Sequence, residues 1–209
     1  MRAYIGLGAN LGDVPTRLSA AVRALMVLPG ARLRGVSRLY RTRPVGPVEQ
    51  PDFHNAVVGL EVPRGPQPAE GALALLMALK DLERALGRHK GPRWGPRELD
   101  LDLLVFGRYR ILVPRQEPAR SIRSERTGVQ WLEVPHASAA QRLFVLAPLA
   151  DLAPRLVPPG WEEPVAVAAR RARDREGPDA VRVVGTWDGQ ARAWTPRGQG
   201  AGNSERVEG

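Results

Sequence analysis

The chain has 209 residues, of which 43% are hydrophobic and 25% charged, with a formal net charge of +9 and no cysteine. These values are typical of one globular domain, and they exclude a disulfide framework and a thiolate metal site. No apolar run reaches the roughly 20 residues that a membrane-spanning helix needs, and the first residues lack the layout of a signal peptide. We therefore expect a cytoplasmic protein without a membrane partner, whose positive charge favours a polyanionic ligand.

Strand and helix patterns alternate through the first half of the chain. Short apolar runs predict strands over residues 3–7, 31–40 and 53–62, and helical spacing of apolar residues predicts a helix that ends before Gly30. Prolines make 43–51 a loop, because they remove backbone donors. In the third strand, alternation places Phe53, Asn55 and Val57 on one face.

The second half begins with a leucine-striped helix over 69–86, which follows two strands in direct succession. The later predicted elements are strands over 99–106, 129–134 and 181–186, and helices over 139–149 and 163–175. This order favours an α+β fold, a ferredoxin-like αβα sandwich with a mostly antiparallel sheet. We expect a core domain over 1–159, a C-terminal helix and possible edge strand packed on it over 160–194, and a disordered tail over 195–209.

Two aspartates lie one pleat apart in the strand over 99–106. Alternation sends Asp100 and Asp102 to one face, and it sends a set of apolar residues to the other: Leu99, Leu101, Leu103 and Val105. Two carboxylates in one small volume repel each other unless a cation lies between them, and oxygen ligands suit magnesium. The alternative is a half-buried strand whose aspartates face water.

A cationic loop precedes this strand. It carries Arg88, His89, Lys90, Arg93 and Arg97 among glycines and prolines. Cations beside metal-binding carboxylates are what a polyphosphate requires, because together they neutralise its charge. Phosphoryl transfer is therefore the leading class of reaction.

Aromatic and amide side chains suggest a second ligand. Phe53, Phe144 and Trp94 offer flat apolar faces, and Asn55 offers hydrogen bonds for the edge of a polar heterocycle. For each of these residues taken alone, packing in the core is the commoner explanation.

Four ordered motifs resemble those of the 6-hydroxymethyl-7,8-dihydropterin pyrophosphokinases, and the likeness extends over residues 1–159. The motifs are Tyr40-Arg41-Thr42 with Pro44-Val45-Gly46-Pro47, Gln50-Pro51-Asp52-Phe53 with Asn55-Ala56, residues 93–104, and Val134-Pro135-His136 with Arg142 and Phe144. The resemblance implies transfer of a pyrophosphate from ATP to 6-hydroxymethyl-7,8-dihydropterin, with release of AMP, in folate biosynthesis.

The resemblance also implies site residues, a metal and an oligomeric state. Two magnesium ions, bound with ATP, are held by Asp100 and Asp102, which act in catalysis together with Arg88 and Arg97. The implied ATP-binding residues are Arg88, Arg97, His136, Arg142 and Glu83. The implied pterin-binding residues are Thr42, Val45, Phe53, Asn55, Trp94 and Phe144. Mobile loops cover both substrates, and the protein is expected to be a monomer.

Three features depart from the family pattern. Ala137 stands where the family usually has tyrosine, and the stretch from Arg88 to Trp94 is one residue shorter than usual, which leaves the alignment of His89 and Lys90 open. The chain beyond Gly160 is longer than usual, as is the polar segment over 114–128. The four arginines of this segment are Arg115, Arg120, Arg123 and Arg126. We hypothesise that they add a basic lip to the ATP entrance.

Two other classes of protein fit parts of the sequence. An RNA-binding module of similar fold shows aromatic residues on its sheet, but this chain is only 5% aromatic and carries aspartates on the corresponding face. A metal-dependent nuclease or nucleotidyltransferase would use the aspartate pair, but it gives no reason for Phe53 and Trp94. We therefore expect no nucleic-acid partner.

Overall fold

The structure is a computed structural model that describes residues 1–44, 49–87, 95–115 and 129–196. Its strands are β1 (Arg2–Ala9), β2 (Arg32–Val36), β3 (Leu39–Thr42), β4 (Phe53–Glu61), β5 (Asp100–Phe106), β6 (Ile111–Pro114), β7 (Trp131–Val134), β8 (Val181–Asp188) and β9 (Ala193–Pro196). Its helices are α1 (Val14–Met26), α2 (Pro68–Ala85), α3 (Leu143–Leu152) and α4 (Val165–Glu176), with a 3-10 turn over Ala139–Gln141. The described residues therefore interleave strands and helices in the order expected of an α+β fold.

Seven strands of the described residues form one sheet, in which every pairing is antiparallel. The order is β5-β1-β4-β3-β8-β9, and β2 also pairs with β4. The strand predicted over 31–40 is thus interrupted, and β2 and β3 lie in line along β4. At the break, the Ser37 amide donates to the Val57 carbonyl at 2.9 Å, and the Ser37 Oγ accepts from the Val57 amide at 2.9 Å. A hydroxyl here replaces a backbone acceptor of the ladder.

Helices cover both faces of this sheet and create two apolar cores. In the first core, Leu18 of α1 and Leu79 of α2 are fully buried against Ile5 and Leu101. In the second core, α3 and α4 pack on the other face around Tyr4, Leu104, Leu146 and Val165. Complete burial of one leucine side chain stabilises the fold by about 2 kcal/mol. The predicted αβα sandwich with a mostly antiparallel sheet is confirmed.

Local signals set the ends of α1 and α2. Asp13 precedes α1, and its side chain accepts a hydrogen bond from the Thr16 amide at 3.3 Å, while Pro15 occupies the first turn. Pro68 opens α2 in the same way. Gly87 follows the end of α2 with φ of +87°, a conformation that glycine adopts without strain. The sequence thus indicates where these two helices begin and where α2 ends.

Strand β5 contains a bulge. Leu99, Leu101 and Leu103 face the first core, as alternation predicts. The prediction for Val105 was wrong, because the register with β1 slips by one residue and both Leu104 and Val105 contribute to the second core. The bulge lies beyond Asp102, so the alternation of the two aspartates is preserved.

Strands β8 and β9 extend the sheet beyond β3. The sequence predicted a possible edge strand over 181–186, but β8 lies between β3 and β9 and is therefore an interior strand. The Trp194 ring of β9 meets that of Trp187 at 4.8 Å between centroids, and its Nε1 donates to the Ser37 carbonyl at 2.9 Å. Strand β9 includes Thr195, where the sequence predicted the start of a disordered tail, and residues 197–209 lie outside the described part.

Three other elements differ from the sequence prediction. Strand β6 was not predicted, and the strand expected over 129–134 begins only at Trp131. The helix expected over 139–149 is divided at Arg142, which has an extended backbone. Most of the polar segment over 114–128 lies outside the described residues. In the part of the chain that the structure describes, none of the helices is long and apolar enough to cross a bilayer.

Replacement of Ser37 by alanine tests the junction between β2 and β3. Ser37 is 1% exposed, so Ser37→Ala leaves the Val57 amide buried without its acceptor. We expect the free energy of unfolding, measured in urea, to fall by about 1 to 3 kcal/mol. Ser19→Ala is the matched control, because this buried hydroxyl only donates to the Pro15 carbonyl within α1, and its loss costs less than about 0.5 kcal/mol. Equal losses in the two variants would contradict the assignment.

Candidate active site

A cavity of about 420 Å³ opens on the face of the sheet that α3 covers. Its floor is the middle of the sheet, where β1 lies between β4 and β5. Gly8 of β1 pairs with Asp100 on one side and Asn55 on the other. One pleat along, Gly6 pairs with Asp102 in the same way. The register therefore places a carboxylate pair and an amide at opposite sides of a glycine floor.

The two glycines keep this floor open. A Cβ atom at Gly8 would lie 3.2 Å from the Asn55 Oδ1, and one at Gly6 would lie 3.4 Å from the Leu104 Cδ1. The contact at Gly8 is tight and that at Gly6 is an ordinary van der Waals contact, and any larger side chain would occupy the cavity. The alternation of β1 thus combines apolar residues facing the first core with glycines facing the cavity.

Asp100 and Asp102 both line the cavity, and the structure confirms that they share one face of β5. Asp100 is 8% exposed and forms an ion pair with Arg97, which lines the cavity as well. No group of three or more His, Cys, Asp or Glu side chains converges on a metal position within the described residues. Magnesium needs only one or two protein carboxylates, because water and phosphate oxygens complete its shell. The pair fits magnesium better than a cation that requires a full protein cage.

A buried ion pair supports β5 from behind. Glu83 is fully buried and Lys80 is 3% exposed, and the Lys80 Nζ donates to the Glu83 Oε1 at 2.7 Å. Leu101, between the two aspartates, donates its amide to the Glu83 Oε1 at 2.6 Å, and its carbonyl accepts from the Lys80 Nζ at 2.9 Å. These contacts fix the backbone that carries both carboxylates.

Glu83 and His136 are absent from the described residues that line the cavity. The sequence prediction for Glu83 was ATP contact, whereas the structure makes it a partner of Leu101 on the other side of β5. The His136 amide donates to the Leu104 carbonyl at 2.9 Å, and its Nδ1 accepts from the Ser138 amide at 3.3 Å. His136 therefore lies beside the outer edge of β5.

The opposite wall of the cavity is built from β3, β4 and α3. Phe53, Asn55, Thr42 and Phe144 all line it. The Asn55 Nδ2 donates to the Thr42 Oγ1 at 2.8 Å, which fixes the orientation of the amide and brings two strands together. The structure thus brings together four of the six residues assigned to the pterin.

Arg142 enters the cavity from the N-terminal end of α3. Its guanidinium carbon lies 5.7 Å from the centre of the Phe144 ring, a distance at which cation and ring attract each other. Both side chains line the cavity. The resemblance assigned Arg142 to ATP, and the structure places it in the same cavity as Asp100 and Asp102.

Asp151 ties the other end of α3 to the sheet. Its carboxylate accepts from the Tyr40 hydroxyl at 3.0 Å and from the Arg38 side chain. Burial raises the pKa of the Tyr40 hydroxyl, and the nearby Asp151 carboxylate raises it further. The hydroxyl therefore remains protonated and keeps donating at neutral pH.

Asn10 is not one of the described residues that line the cavity, but it links two loops beside the cavity in a way that the sequence did not reveal. It is 4% exposed, and its Nδ2 donates to the Gln50 Oε1 at 3.1 Å and to the Pro51 carbonyl at 3.0 Å. Its Oδ1 accepts from the Arg97 amide at 2.6 Å. One side chain thereby links the loop before β4 to the loop before β5. The only signal in the sequence was a polar residue within the glycine-rich turn after β1.

Arg115 is the one arginine of the segment over 114–128 that lies within the described residues. Burial lowers the pKa of its guanidinium, while Asp102 and Glu83 are near enough to oppose that change electrostatically. The positive charge of this guanidinium therefore interacts favourably with the Asp102 carboxylate. Several residues named from the sequence lie outside the described residues: Val45, Gly46, Pro47, Arg88, His89, Lys90, Arg93, Trp94, Arg120, Arg123 and Arg126.

Comparison with known proteins identifies relatives along most of the chain. The profile of 7,8-dihydro-6-hydroxymethylpterin-pyrophosphokinase (HPPK) matches residues 4–154. A 2-amino-4-hydroxy-6-hydroxymethyldihydropteridine pyrophosphokinase of Pseudomonas aeruginosa is 41% identical over 169 residues, which are 80% of this chain and 91% of that protein. The Bacillus subtilis protein of the same name is 37% identical over 150 residues, covering 72% and 77% of the two chains.

Solved structures agree on the fold. The crystal structure of wild-type Plasmodium falciparum HPPK-DHPS matches with a TM-score of 0.67 at 13% sequence identity, over 89% of this chain and 48% of that chain. The present chain thus spans about half the length of that protein. At this identity the likeness concerns the fold alone.

Removal of the Glu83 carboxylate tests the support behind β5. Glu83→Ala leaves the Lys80 charge buried without its partner and the Leu101 amide without its acceptor. We therefore expect the free energy of unfolding, measured in urea, to fall by about 3 to 5 kcal/mol. Asp81→Ala is the matched control, because Asp81 pairs with Arg84 at the same spacing on the exposed side of α2. That change alters stability by less than about 1 kcal/mol.

Glu83→Gln separates the two contributions of the carboxylate. The amide oxygen still accepts from Leu101, but the negative charge opposite Lys80 is lost, so an intermediate loss of stability is expected. A Glu83→Ala protein as stable as Asp81→Ala would show that the buried pair does not hold the strand.

Proposed function

Because the chain belongs to the 7,8-dihydro-6-hydroxymethylpterin-pyrophosphokinase (HPPK) family, we propose that it transfers a pyrophosphate from ATP to 6-hydroxymethyl-7,8-dihydropterin in folate synthesis. The products are AMP and the pterin diphosphate. One observation carries the proposal: a single cavity has a pair of carboxylates on neighbouring pleats at one side and an aromatic and amide wall at the other. Each side suits one of the two substrates.

The wall formed by β3, β4 and α3 suits the pterin. Phe53 and Phe144 offer ring faces for a flat heterocycle, and the Asn55 amide, oriented by Thr42, offers hydrogen bonds to its edge. The glycine floor leaves room for the ring system to approach the sheet. Val45 and Trp94 complete this set in the proposal.

The carboxylate side suits a metal-bound triphosphate. Asp100 and Asp102 would hold two magnesium ions, which would neutralise the phosphate oxygens and polarise the phosphorus under attack. Arg97 and Arg142 line the same cavity and supply positive charge from two further directions. Arg88, from the loop before Arg97, joins them in the proposal.

Positioning and charge neutralisation account for the reaction, because phosphoryl transfer needs little covalent help from the protein. The hydroxymethyl oxygen of the pterin attacks the β-phosphorus, and the bond from that phosphorus to the oxygen of the α-phosphate breaks as AMP leaves. Arg97 is held by Asn10 on its backbone and by Asp100 on its side chain, so its guanidinium is oriented before the substrates bind. In the proposal, a pterin held by Phe53 and Phe144 would direct its hydroxymethyl oxygen towards the carboxylate pair.

Charge on the sheet argues against nucleic acid as the substrate. Asp100 and Asp102 face the cavity and would repel a phosphate backbone without bound metal.

We propose that the protein works as a monomer in the cytoplasm, a location with which the absence of cysteine is consistent.

A coupled assay of AMP release tests the proposed reaction. With ATP, magnesium and 6-hydroxymethyl-7,8-dihydropterin together, we expect AMP and the pterin diphosphate in equal amounts, and omission of the pterin or addition of a chelator stops both. Release of ADP, or of AMP without the pterin, would identify a different phosphoryl-transfer enzyme.

Asp102→Asn tests the proposed metal-binding site. The substitution keeps the shape of the side chain but removes its charge, so we expect kcat to fall at least about 100-fold. Asp81→Asn, an exposed change on α2, serves as the control and retains wild-type kinetics. Activity of Asp102→Asn within twofold of the wild type would be incompatible with a metal at this position.

A further inference from the structure

The C-terminal end of α4 contacts the start of α3, where two cavity residues are located. Glu176 is the last residue of α4, and its Oε1 accepts a hydrogen bond from the Leu143 amide at 3.2 Å. Glu176 also lines the cavity, although it lies beyond residues 4–154, which the family profile matches. A residue outside the family match therefore reaches the proposed substrate site.

Helix α3 lacks a cap of its own. The residue before its first turn is Arg142, whose side chain forms no capping hydrogen bond. An uncapped helix N-terminus has free amides and a partial positive charge, and a carboxylate satisfies both. Glu176 supplies this carboxylate from a different helix.

Arg175 binds the backbone just before Arg142, whereas Glu176 binds the backbone just after it. Its NH2 group donates to the Gln141 carbonyl at 2.6 Å and to the Glu176 Oε1 at 3.2 Å. The two side chains of α4 thus bind the carbonyl before Arg142 and the amide after it. The extended backbone of Arg142 is bracketed by these contacts.

The end of α4 is itself fixed by the sequence. Gly177 follows Glu176 with φ of +94°, and its amide donates to the Arg173 carbonyl at 2.9 Å. Glycine adopts this positive φ without strain, so the chain leaves the helix directly after Glu176. The chain then enters β8, in which Val181 pairs with Thr42 on the opposite wall of the cavity.

We propose that Glu176 and Arg175 are positioning residues, which cap α3 from α4 and thereby hold Arg142 and Phe144 in the substrate cavity. The inference rests on the proposed function, because Arg142 serves the triphosphate and Phe144 the pterin. The competing explanation is an exposed ion pair between neighbouring residues, with no effect on the site. The two explanations differ in what happens to substrate affinity.

Steady-state kinetics of four variants distinguish them. Glu176→Ala removes the cap, and we expect the KM for both substrates to rise about tenfold, with kcat within about twofold of the wild type. Glu176→Gln keeps the accepting oxygen and restores KM to within about threefold. Arg175→Ala raises KM in the same direction. Arg171→Ala is the matched control and leaves KM unchanged, because Arg171 of the same helix donates to Glu163 and, within the described residues, not to the turn around Arg142.

Hydrogen exchange of the Leu143 amide gives a readout that does not depend on activity. We expect faster exchange in Glu176→Ala, and exchange near the wild-type rate in Glu176→Gln and Arg171→Ala. If Glu176 and Arg175 only stabilised the fold, their replacement would lower the melting temperature or kcat and leave KM unchanged.

Three outcomes would overturn the inference. They are an unchanged KM in Glu176→Ala, an unchanged exchange rate of the Leu143 amide, or a Glu176→Gln protein as impaired as Glu176→Ala, since capping needs only the accepting oxygen. A wild-type protein that releases no AMP would instead reject the proposed function, and the exchange experiment would still decide whether Glu176 caps α3.

Discussion

The buried pair of Lys80 and Glu83 determines where the carboxylates of the site lie. Strand β5 is at the end of the sheet order, so the outward amide and carbonyl of Leu101 have no neighbouring strand. Two charged side chains of α2 take that place. Desolvation of two charges costs several kcal/mol, which their mutual attraction and the two backbone hydrogen bonds offset. Because Leu101 lies between Asp100 and Asp102, the same contacts that satisfy a sheet edge also hold both carboxylates.

Carboxylates and guanidinium groups lie close together at the cavity. Asp100 and Asp102 repel each other, and Arg97 and Arg115 offset this repulsion from the loop and from the end of β6. In the proposed function, a bound metal would compete with these cations for the carboxylates. The net charge of +9 would help to attract a triphosphate to a site that carries local negative charge.

Connections from distant segments give the site its rigidity. Asn10 joins the two loops that flank the cavity, and α4 brackets the turn that carries Arg142. Strand β8 supports β3 along Thr42. The part of the chain beyond the family match therefore contributes to the walls of the cavity as well as to the sheet. A precise site requires such supporting contacts, because a catalytic side chain is only as well placed as its backbone.

The sequence alone determined the α+β class, the leucine-striped helix and the shared face of Asp100 and Asp102, because these follow from local periodicity. Local periodicity also placed Phe53 and Asn55 on one face of β4. Only the tertiary structure decided the bulge that turned Val105 to the other core, the interior position of β8, and the buried position of Glu83 away from the cavity. It also revealed Asn10 and Glu176. Each of these depends on partners far apart along the chain, and a sequence pattern reports only the neighbours of a residue.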